Sequence, residues 1–317
     1  MTGTEVRAVV GRRSAPAEDV VEFALHPVAG GELPAWEPGA HVDVVLGSGM
    51  VRQYSLCGDP ADRTTYRIAV LRQADGRGGS AWLHDRLEVG EEIALRGPRN
   101  HFPLEPAGSY VFLAGGIGIT PLLPMVRRVA ASGAAWTLHY GGRTRASMAY
   151  LAELTDVDDL GGDCVNLVPQ DEYGLIDLSA ALDPAPPETA IYCCGPEPLI
   201  AAAEVACAAR GLALRTERFS PREIADAVDT AFVVALAASG EELVVPAGRS
   251  IVDVLVEAGA DILTSCEEGT CGTCELAVLA GTPDHRDSVL TDEERAAGDR
   301  ILPCVSRASS ERLVLDL

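Results

Sequence analysis

The chain has 317 residues, 47% of them hydrophobic and 23% charged, and a formal net charge of −22. That length allows two or three domains, and so acidic a chain has no general attraction for nucleic acid or an anionic membrane. All 25 basic residues are arginine, which excludes Schiff-base chemistry on lysine and a P-loop lysine. No apolar run is long enough to span a bilayer, and the opening MTGTEVRAVVGRRS lacks the apolar segment that export needs. With nine cysteines, an odd number, the expected compartment is a reducing cytoplasm.

Residues 1–104 read as short strands separated by turns, the pattern of an antiparallel β-barrel. HVDVVL (41–46), TYRIAVL (65–71) and EIALRG (92–97) are the expected strands, punctuated by Pro38-Gly39 and Gly47-Ser48-Gly49. Within this segment V-R-Q-Y-S-L (51–56) places three useful groups together. Arg52 can form paired, charge-assisted bonds to a phosphate. Tyr54 can lie flat on an aromatic ring system, and Ser55 can donate to a ring nitrogen. Gly78, Gly79 and Ser80 precede an expected helix, AWLHDRL (81–87), as a second anion nest. Taken singly, each also suits a surface arginine, a core tyrosine or a simple turn.

Residues 105–225 change to alternating strand and helix, the signature of a parallel α/β unit. YVFLAGG (110–116) leads into a helix over ITPLLPMVRRVAAS (119–132) and then TLHYGG (137–142). CVNLVP (164–169), AIYCCG (190–195) and LALRTERF (212–219) are expected as further buried strands, with a helix over PLIAAAEVACAARG (198–211). The turn G-G-I-G-I-T-P (115–121), with Gly115, Gly116 and Gly118, has Thr120 as expected N-cap and Pro121 at the first helical position. Backbone N–H groups there would face a pyrophosphate. A second turn, Y-C-C-G-P-E-P (192–198), sets Cys194, Gly195 and Pro196 at the carboxyl end of a strand, where α/β ligands bind. Cys194 also reads as a small buried apolar residue. SPREIADAVDT (220–230) is the expected linker.

Residues 226–317 begin with a strand pair, FVVALAASGEELVVPAG (232–248), turning at Ser239-Gly240, and a helix, SIVDVLVEAG (250–259), that ends at Gly259. Next come Cys266, Cys271 and Cys274 in S-C-E-E-G-T-C-G-T-C, with Cys304 following after 29 intervening residues. This C-x4-C-x2-C…C spacing is that of plant-type [2Fe–2S] centres, whereas zinc sites usually show two separated cysteine pairs. From Asp229 to Leu317 there are 17 acidic residues against 6 arginines, a charge that serves solubility or steers a basic partner.

R-x-Y-S, the R-G-G-S loop, G-G-I-G-I-T-P, C-C-G-P and the terminal cysteine pattern together resemble the phthalate dioxygenase reductase family, including vanillate O-demethylase reductases. The resemblance covers essentially the whole chain. It implies a multidomain fold: an FMN-binding β-barrel (1–104), an NAD-binding α/β domain (105–225) and an α+β, β-grasp ferredoxin domain (226–317). It implies FMN rather than FAD, with Arg52 and the loop around Ser80 clamping a terminal phosphate and Tyr54 and Ser55 on the isoalloxazine. Gly116 to Thr120 would hold the NADH pyrophosphate and Cys194 would lie near the nicotinamide. In T-E-R-F (216–219), Glu217 and Phe219 match the family's acid and ring-covering aromatic. Arg143, in G-G-R-T-R-A-S (141–147), marks the ribose site, where two arginines and a serine leave NADPH open while NADH is favoured. NADH gives two electrons as hydride and a [2Fe–2S] centre accepts one at a time, which a flavin reconciles. The expected activity is therefore that of a monomeric NADH-dependent reductase. Its partner would be a separate terminal oxygenase, a Rieske non-haem iron enzyme or a cytochrome P450. The competing reading is a redox sensor or electron-carrier module with a regulatory nucleotide domain.

Overall fold

A computed structural model describes residues 5–317 apart from 48, 74–75, 162, 184 and 223–228. Ser48, Asp75 and the Glu223–Val228 stretch of the expected linker, with the 225/226 boundary, lie outside the described residues. The chain forms two compact units that divide between Glu217 and Arg218.

The first unit opens with one antiparallel sheet. Its strands are β1 (Glu5–Ala17), β2 (Val20–Pro27), β3 (His41–Val45), β4 (Val51–Ser55), β5 (Tyr66–Leu71) and β6 (Glu92–Arg99). They run in the order β4-β3-β6-β1-β2-β5. The two edges meet where Leu56, directly after β4, bridges Ile68 of β5, and this closes the barrel. Phe23, Leu25, Val42, Leu56 and Ile68 fill the interior, and helix α1 (Gly79–Arg86) adds Leu83 to them. The sequence had not resolved the long hairpin β1–β2, which turns at Asp19 (φ 57°).

A parallel sheet completes the first unit. Along the chain it comprises β7 (Ser109–Gly115), α2 (Ile119–Ser132), β8 (Ala135–Gly142), α3 (Leu151–Gly161), β9 (Val165–Pro169), α4 (Gln170–Tyr173), α5 (Leu178–Leu182), β10 (Ala190–Cys194), α6 (Glu197–Ala208) and β11 (Leu214–Glu217). The strand order is β11-β10-β7-β8-β9. Side chains alternate between faces. Phe112, Leu138, Tyr192 and Cys194 share a core with α2, while Val111, Leu113, Ile191 and Cys193 pack with α6 residues Ile200 and Ala203. β9 and β11 are the sheet's outer strands, so most of their residues are only half-buried, not buried as the apolar runs predict. Cys57, Ala69 and Phe102 of the barrel half enter the same core as Ile119, Leu123 and Val126, so the two sheets share an apolar interior.

The second unit contains β12 (Phe232–Leu236), β13 (Glu242–Val245), α7 (Ile251–Glu257), β14 (Leu276–Ala280), β15 (Pro283–Asp284), α8 (Asp292–Ala297), β16 (Arg300–Ile301), β17 (Arg307–Ala308) and β18 (Arg312–Leu315). A mixed sheet in the order β13-β12-β18-β14-β16 has β12 and β18 parallel at its centre and antiparallel neighbours outside them. Ser250 caps α7 reciprocally with Asp253, and Gly259 follows the helix at φ 81°. Among the described residues, no helix is long and apolar enough to cross a membrane.

Candidate functional site

Arg52 reaches from β4 to the head of α1. A Cβ on Gly79 would stand 2.7 Å from Arg52 Cγ and 2.8 Å from its Nε, so the arginine lies across the space that glycine leaves. Its guanidinium donates to the carbonyls of Val51 at 2.8 Å and Arg77 at 3.4 Å. A cation beside a helix N-terminus is the arrangement that receives a phosphate. The loop is two residues shorter than the sequence predicts. Gly78 takes the left-handed turn (φ 83°), so Gly79 and Ser80 are already helical. The Ser80 hydroxyl accepts the N–H of Gln73 at 3.1 Å, tying the loop to the strand before it. Tyr54 lies two residues from Arg52 on β4. Burial pushes its phenol above the ordinary range despite the nearby Arg52, so it stays neutral and able to stack.

In the parallel sheet the chain winds from β7 through β8 to β9, then returns to place β10 on the other side of β7. The β7/β10 junction is therefore the topological switch point, the place where open α/β sheets bind ligands. Both glycine turns converge there. A Cβ on Gly118 would lie 2.1 Å from the Cys194 carbonyl oxygen, and one on Gly115 would lie 2.6 Å from Pro196 Cδ. Gly116–Gly118 forms a 3-10 turn that starts the helix early, with Gly118 as its N-cap. Thr120 is thus not the cap and Pro121 not the first helical residue. The Thr120 hydroxyl instead donates to the Ile117 carbonyl at 2.9 Å.

Three elements bring Ser55, Cys194 and Glu217 together at this end of the sheet. Ala114, Cys194 and Glu217 stand in one rank across β7, β10 and β11. The Ser55 hydroxyl, at the end of β4, donates to Glu217 Oε2 at 3.2 Å across 162 residues of sequence. Burial pushes the Glu217 carboxyl up to about 8, against the pull of the Ser55 bond. Burial, and then the charge of Glu217, push the fully buried Cys194 thiol far above its ordinary value, so it remains neutral. Phe219, which opens no part of this rank, belongs to the second unit and is 41% exposed. Beyond β8, the Arg143 carbonyl accepts the N–H of Asp171 at 3.2 Å, and Arg145 lies 3.7 Å from Glu172. Acidic residues of α4 therefore adjoin both arginines of the expected ribose site.

In the second unit, Cys266, Cys271, Cys274 and Cys304 are all buried. Their sulfurs come as two hydrogen-bonded pairs, Cys266 with Cys271 and Cys274 with Cys304. Among the described residues, no group of three or more His, Cys, Asp or Glu side chains gathers about a single point. Two pairs suit a centre of two sulfide-bridged irons, each taking two thiolates. The bond from Cys271 draws Cys266 down to about 5, and that same bond with burial pushes Cys271 up. Backbone N–H groups already aim at the sulfurs, from Glu268 to Cys266 at 3.3 Å and from Gly269 to Cys304. The carboxylate of Asp287, fully enclosed, accepts from Val289 at 3.0 Å and Leu290 at 2.7 Å, and Ser288 N–H bonds the Gly269 carbonyl at 2.8 Å. No disulfide joins any of the cysteines among the described residues.

Glu22, Arg67, Tyr150 and Glu153, none of them a sequence candidate, form a polar cluster between the two sheets of the first unit, in which Glu22 and Tyr150 are buried and Arg67 and Glu153 half-buried. The only trace of it in the sequence is Glu22 inside the apolar run V-V-E-F-A-L.

Comparison with known proteins agrees with this geometry. The description "2Fe-2S iron-sulfur cluster binding domain" matches residues 234–309, and "Oxidoreductase NAD-binding domain" matches residues 112–205. The chain is 46% identical to phenoxybenzoate dioxygenase subunit beta of Ectopseudomonas oleovorans, over 95% of this chain and 94% of that protein. It is 37% identical to phthalate dioxygenase reductase of Burkholderia cepacia, over 98% and 97% of the two chains. Among solved structures, an intact type IV self-sufficient cytochrome P450 monooxygenase is 42% identical with a TM-score of 0.91. It covers 99% of this chain, while this chain spans only 41% of that one.

Proposed function

Because the chain belongs to the phthalate dioxygenase reductase family, we propose that it takes hydride from NADH and delivers single electrons to a separate terminal oxygenase, through FMN and a [2Fe–2S] cluster. It is an oxidoreductase of the flavin and iron–sulfur electron-transfer class. FMN, when bound, turns a two-electron donor into a source of single electrons that the cluster can accept. The residues do the rest. Residues 1–104 bind FMN, 105–225 bind NADH and 226–317 hold the cluster. Arg52, with Gly78, Gly79 and Ser80 at the head of α1, receives the FMN phosphate. Tyr54 stacks on the ring and Ser55 bonds its reactive edge.

Gly115, Gly116, Gly118 and Thr120, with Gly195 and Pro196, form the floor on which the NADH pyrophosphate rests. Cys194 fills the space beside the nicotinamide as a thiol that burial keeps neutral. Glu217 keeps a proton on its carboxyl up to about pH 8 and bonds the Ser55 hydroxyl, so the pair can hold a proton next to the flavin. Phe219 is the aromatic that matches the family's ring-covering residue. Arg143 and Arg145 bind the adenosine ribose. The Glu172 carboxylate beside Arg145 disfavours a 2′-phosphate, which supports NADH over NADPH.

Cys266, Cys271, Cys274 and Cys304 are the cluster ligands. The oxygenase is a Rieske or a P450 protein, a choice supported on one side by the dioxygenase relative and on the other by the fused P450 chain. The reductase itself acts as a monomer in the reducing cytoplasm.

The observation that carries this reading is the meeting of Ser55, Cys194 and Glu217 at the switch point of a nucleotide sheet, in a chain that also pairs four buried cysteines. Anaerobic mixing of the holoprotein with NADH tests it. Both the flavin and the cluster should bleach, the flavin first. Binding of NADH without bleaching would establish a carrier or sensor instead.

A further inference from the structure

Glu22 sits in the middle of β2 and is 2% exposed, yet it gathers a set of donors. Arg67 of β5 gives it Nε–H at 3.0 Å and an NH2 group at 2.5 Å. Arg12 reaches it at 3.0 Å, the Tyr150 hydroxyl at 3.0 Å and the Ser14 hydroxyl at 3.3 Å. Arg67 also spans to Glu153 of α3, at 2.7 and 3.3 Å. Arg127 of α2 donates to the same Glu153 carboxylate. One guanidinium therefore ties a barrel strand to the helical layer of the nucleotide half, with both carboxylates doubly engaged.

The two ends of this tie lead to the reacting groups. The Arg67 carbonyl accepts the N–H of Cys57 at 3.0 Å and its thiol at 3.4 Å. Cys57 is two residues past Ser55, so Arg67 is bonded through the backbone to the continuation of the flavin strand. At the other end, α2 is the helix that the nucleotide turn opens, and α3 follows Tyr150. Tyr150 is held at φ 65°, a conformation a bulky aromatic residue keeps only when its surroundings over-determine it. Its hydroxyl bonds Glu22 and lies 3.3 Å from Cys57 Sγ, while Arg67 Cζ stands 5.5 Å from its ring centre. A backbone bond from Glu18 to the Ala146 carbonyl at 2.9 Å fastens the same border.

Ion pairs taken out of water contribute little net stability, because desolvation offsets their attraction, so the value of this part-buried set lies in the geometry it imposes. The attraction that holds the shared apolar core together is non-directional, whereas bidentate charged bonds fix both distance and orientation. Hydride transfer needs its atoms about 3–3.5 Å apart, and a misplacement of roughly 1 Å can slow it about a hundred-fold.

We propose that Arg67 is a positioning residue for hydride transfer, setting the separation between the flavin strand and the nucleotide sheet by bridging Glu22 and Glu153. The inference rests on the functional reading above. Its test compares holoprotein variants Glu153→Gln, Arg67→Lys and Tyr150→Phe in single-turnover flavin reduction over a range of NADH concentrations. Rates are read per bound flavin, so a poorer yield of folded protein does not enter. The limiting rate should fall about ten-fold or more in Glu153→Gln and Arg67→Lys, since one ammonium cannot bond both carboxylates as the guanidinium fork does. Tyr150→Phe should show a smaller loss. NADH affinity and the flavin midpoint potential should stay near the wild-type values. Combining Glu153→Gln with Arg67→Lys should add little, because both break one tie. Wild-type limiting rates in flavin-loaded variants, or losses that appear only as weaker NADH binding, would overturn the positioning role alone. A wild-type flavin that NADH does not reduce would overturn the functional reading and this inference with it.

Discussion

Glu217 offers the most direct test of the site, because its protonation is tied to folding. In the unfolded chain its carboxyl titrates at the ordinary 4.5, and in the folded protein burial raises it to about 8. Between those values the folded protein holds a proton that the unfolded chain releases. The associated stability is fully present below about pH 4.5 and is lost as pH rises toward 8. At about 1.4 kcal/mol for each tenfold change in protonation, the loss approaches roughly 5 kcal/mol by pH 8 to 9. Glu217→Gln keeps the shape and still accepts the Ser55 hydroxyl, but it has nothing to ionise. The variant and wild type should therefore unfold at similar temperatures near pH 5 and separate as pH rises, the variant becoming the more stable. For a unit of about 200 residues, 1 kcal/mol moves the transition by roughly 2–4 °C, so the gap at pH 9 should reach roughly 10–20 °C. Flavin release, followed by fluorescence from pH 5 to 9, reports unfolding of the first unit without interference from the second. In the same variant, NADH-driven flavin reduction should be slower and lose its inflection near pH 8. Parallel melting curves at every pH would show that Glu217 titrates normally, and the dry Ser55–Glu217–Cys194 site would then be wrong.

Further outcomes follow from other parts of the molecule. Cys271→Ser breaks one of the two cysteine pairs, so the [2Fe–2S] absorbance should vanish while FMN stays bound and NADH still reduces it; full cluster absorbance would refute the ligand assignment. If Arg52 holds the FMN phosphate as proposed, Arg52→Ala should cost about 1.5–3 kcal/mol, and FMN should bind about 10–150-fold more weakly in a flavin titration. Cys194→Ala should keep FMN and slow its reduction, and loss of flavin alone in that variant would misplace the thiol. Glu172→Gln should raise the relative rate with NADPH, since it removes the carboxylate 3.7 Å from Arg145; an unchanged NADH/NADPH ratio would remove α4 from cofactor choice. Electron transfer to the oxygenase at sub-saturating concentration should slow steeply with salt, because exposed charges are screened over about 8–10 Å. Reversing Glu267 and Glu268, the two acids that follow Cys266 in the cysteine loop, to arginine should flatten that dependence, and a reaction indifferent to salt in the wild type would leave the acidity of the second unit a matter of solubility.

Local chemistry was legible from the sequence because it is written in contiguous residues. The cysteine spacing pointed to a [2Fe–2S] domain, which the family match over residues 234–309 bears out. The helix over 119–132 was readable to the residue, because its apolar period and the glycine turn before it are local properties. So was the pairing of β12 with β13 around Ser239-Gly240. The errors were also local in origin. Thr120 carries an N-cap residue type, but the 3-10 turn at Gly116–Gly118 begins the helix before it. Gly79 and Ser80 looked like a loop ahead of the helix, but the left-handed turn at Gly78 had already started α1.

What no window of sequence contains is the company a side chain keeps across the fold. The apolar runs 164–169 and 212–219 resemble buried strands, and only the strand order makes them edges. Ser55 and Glu217 are 162 residues apart and meet only because β4 ends at the switch point of the other sheet. The pKa of Glu217 is likewise a property of that enclosure, since desolvation depends on everything packed around the carboxyl. Glu22 is an ordinary acid in an apolar strand until Arg67, Tyr150 and Glu153 arrive from three other elements. Motifs determine which cofactors the chain can hold. The closing of the barrel and the packing of both sheets on one core determine how those cofactors would be aimed, because distance and burial are set by the whole fold.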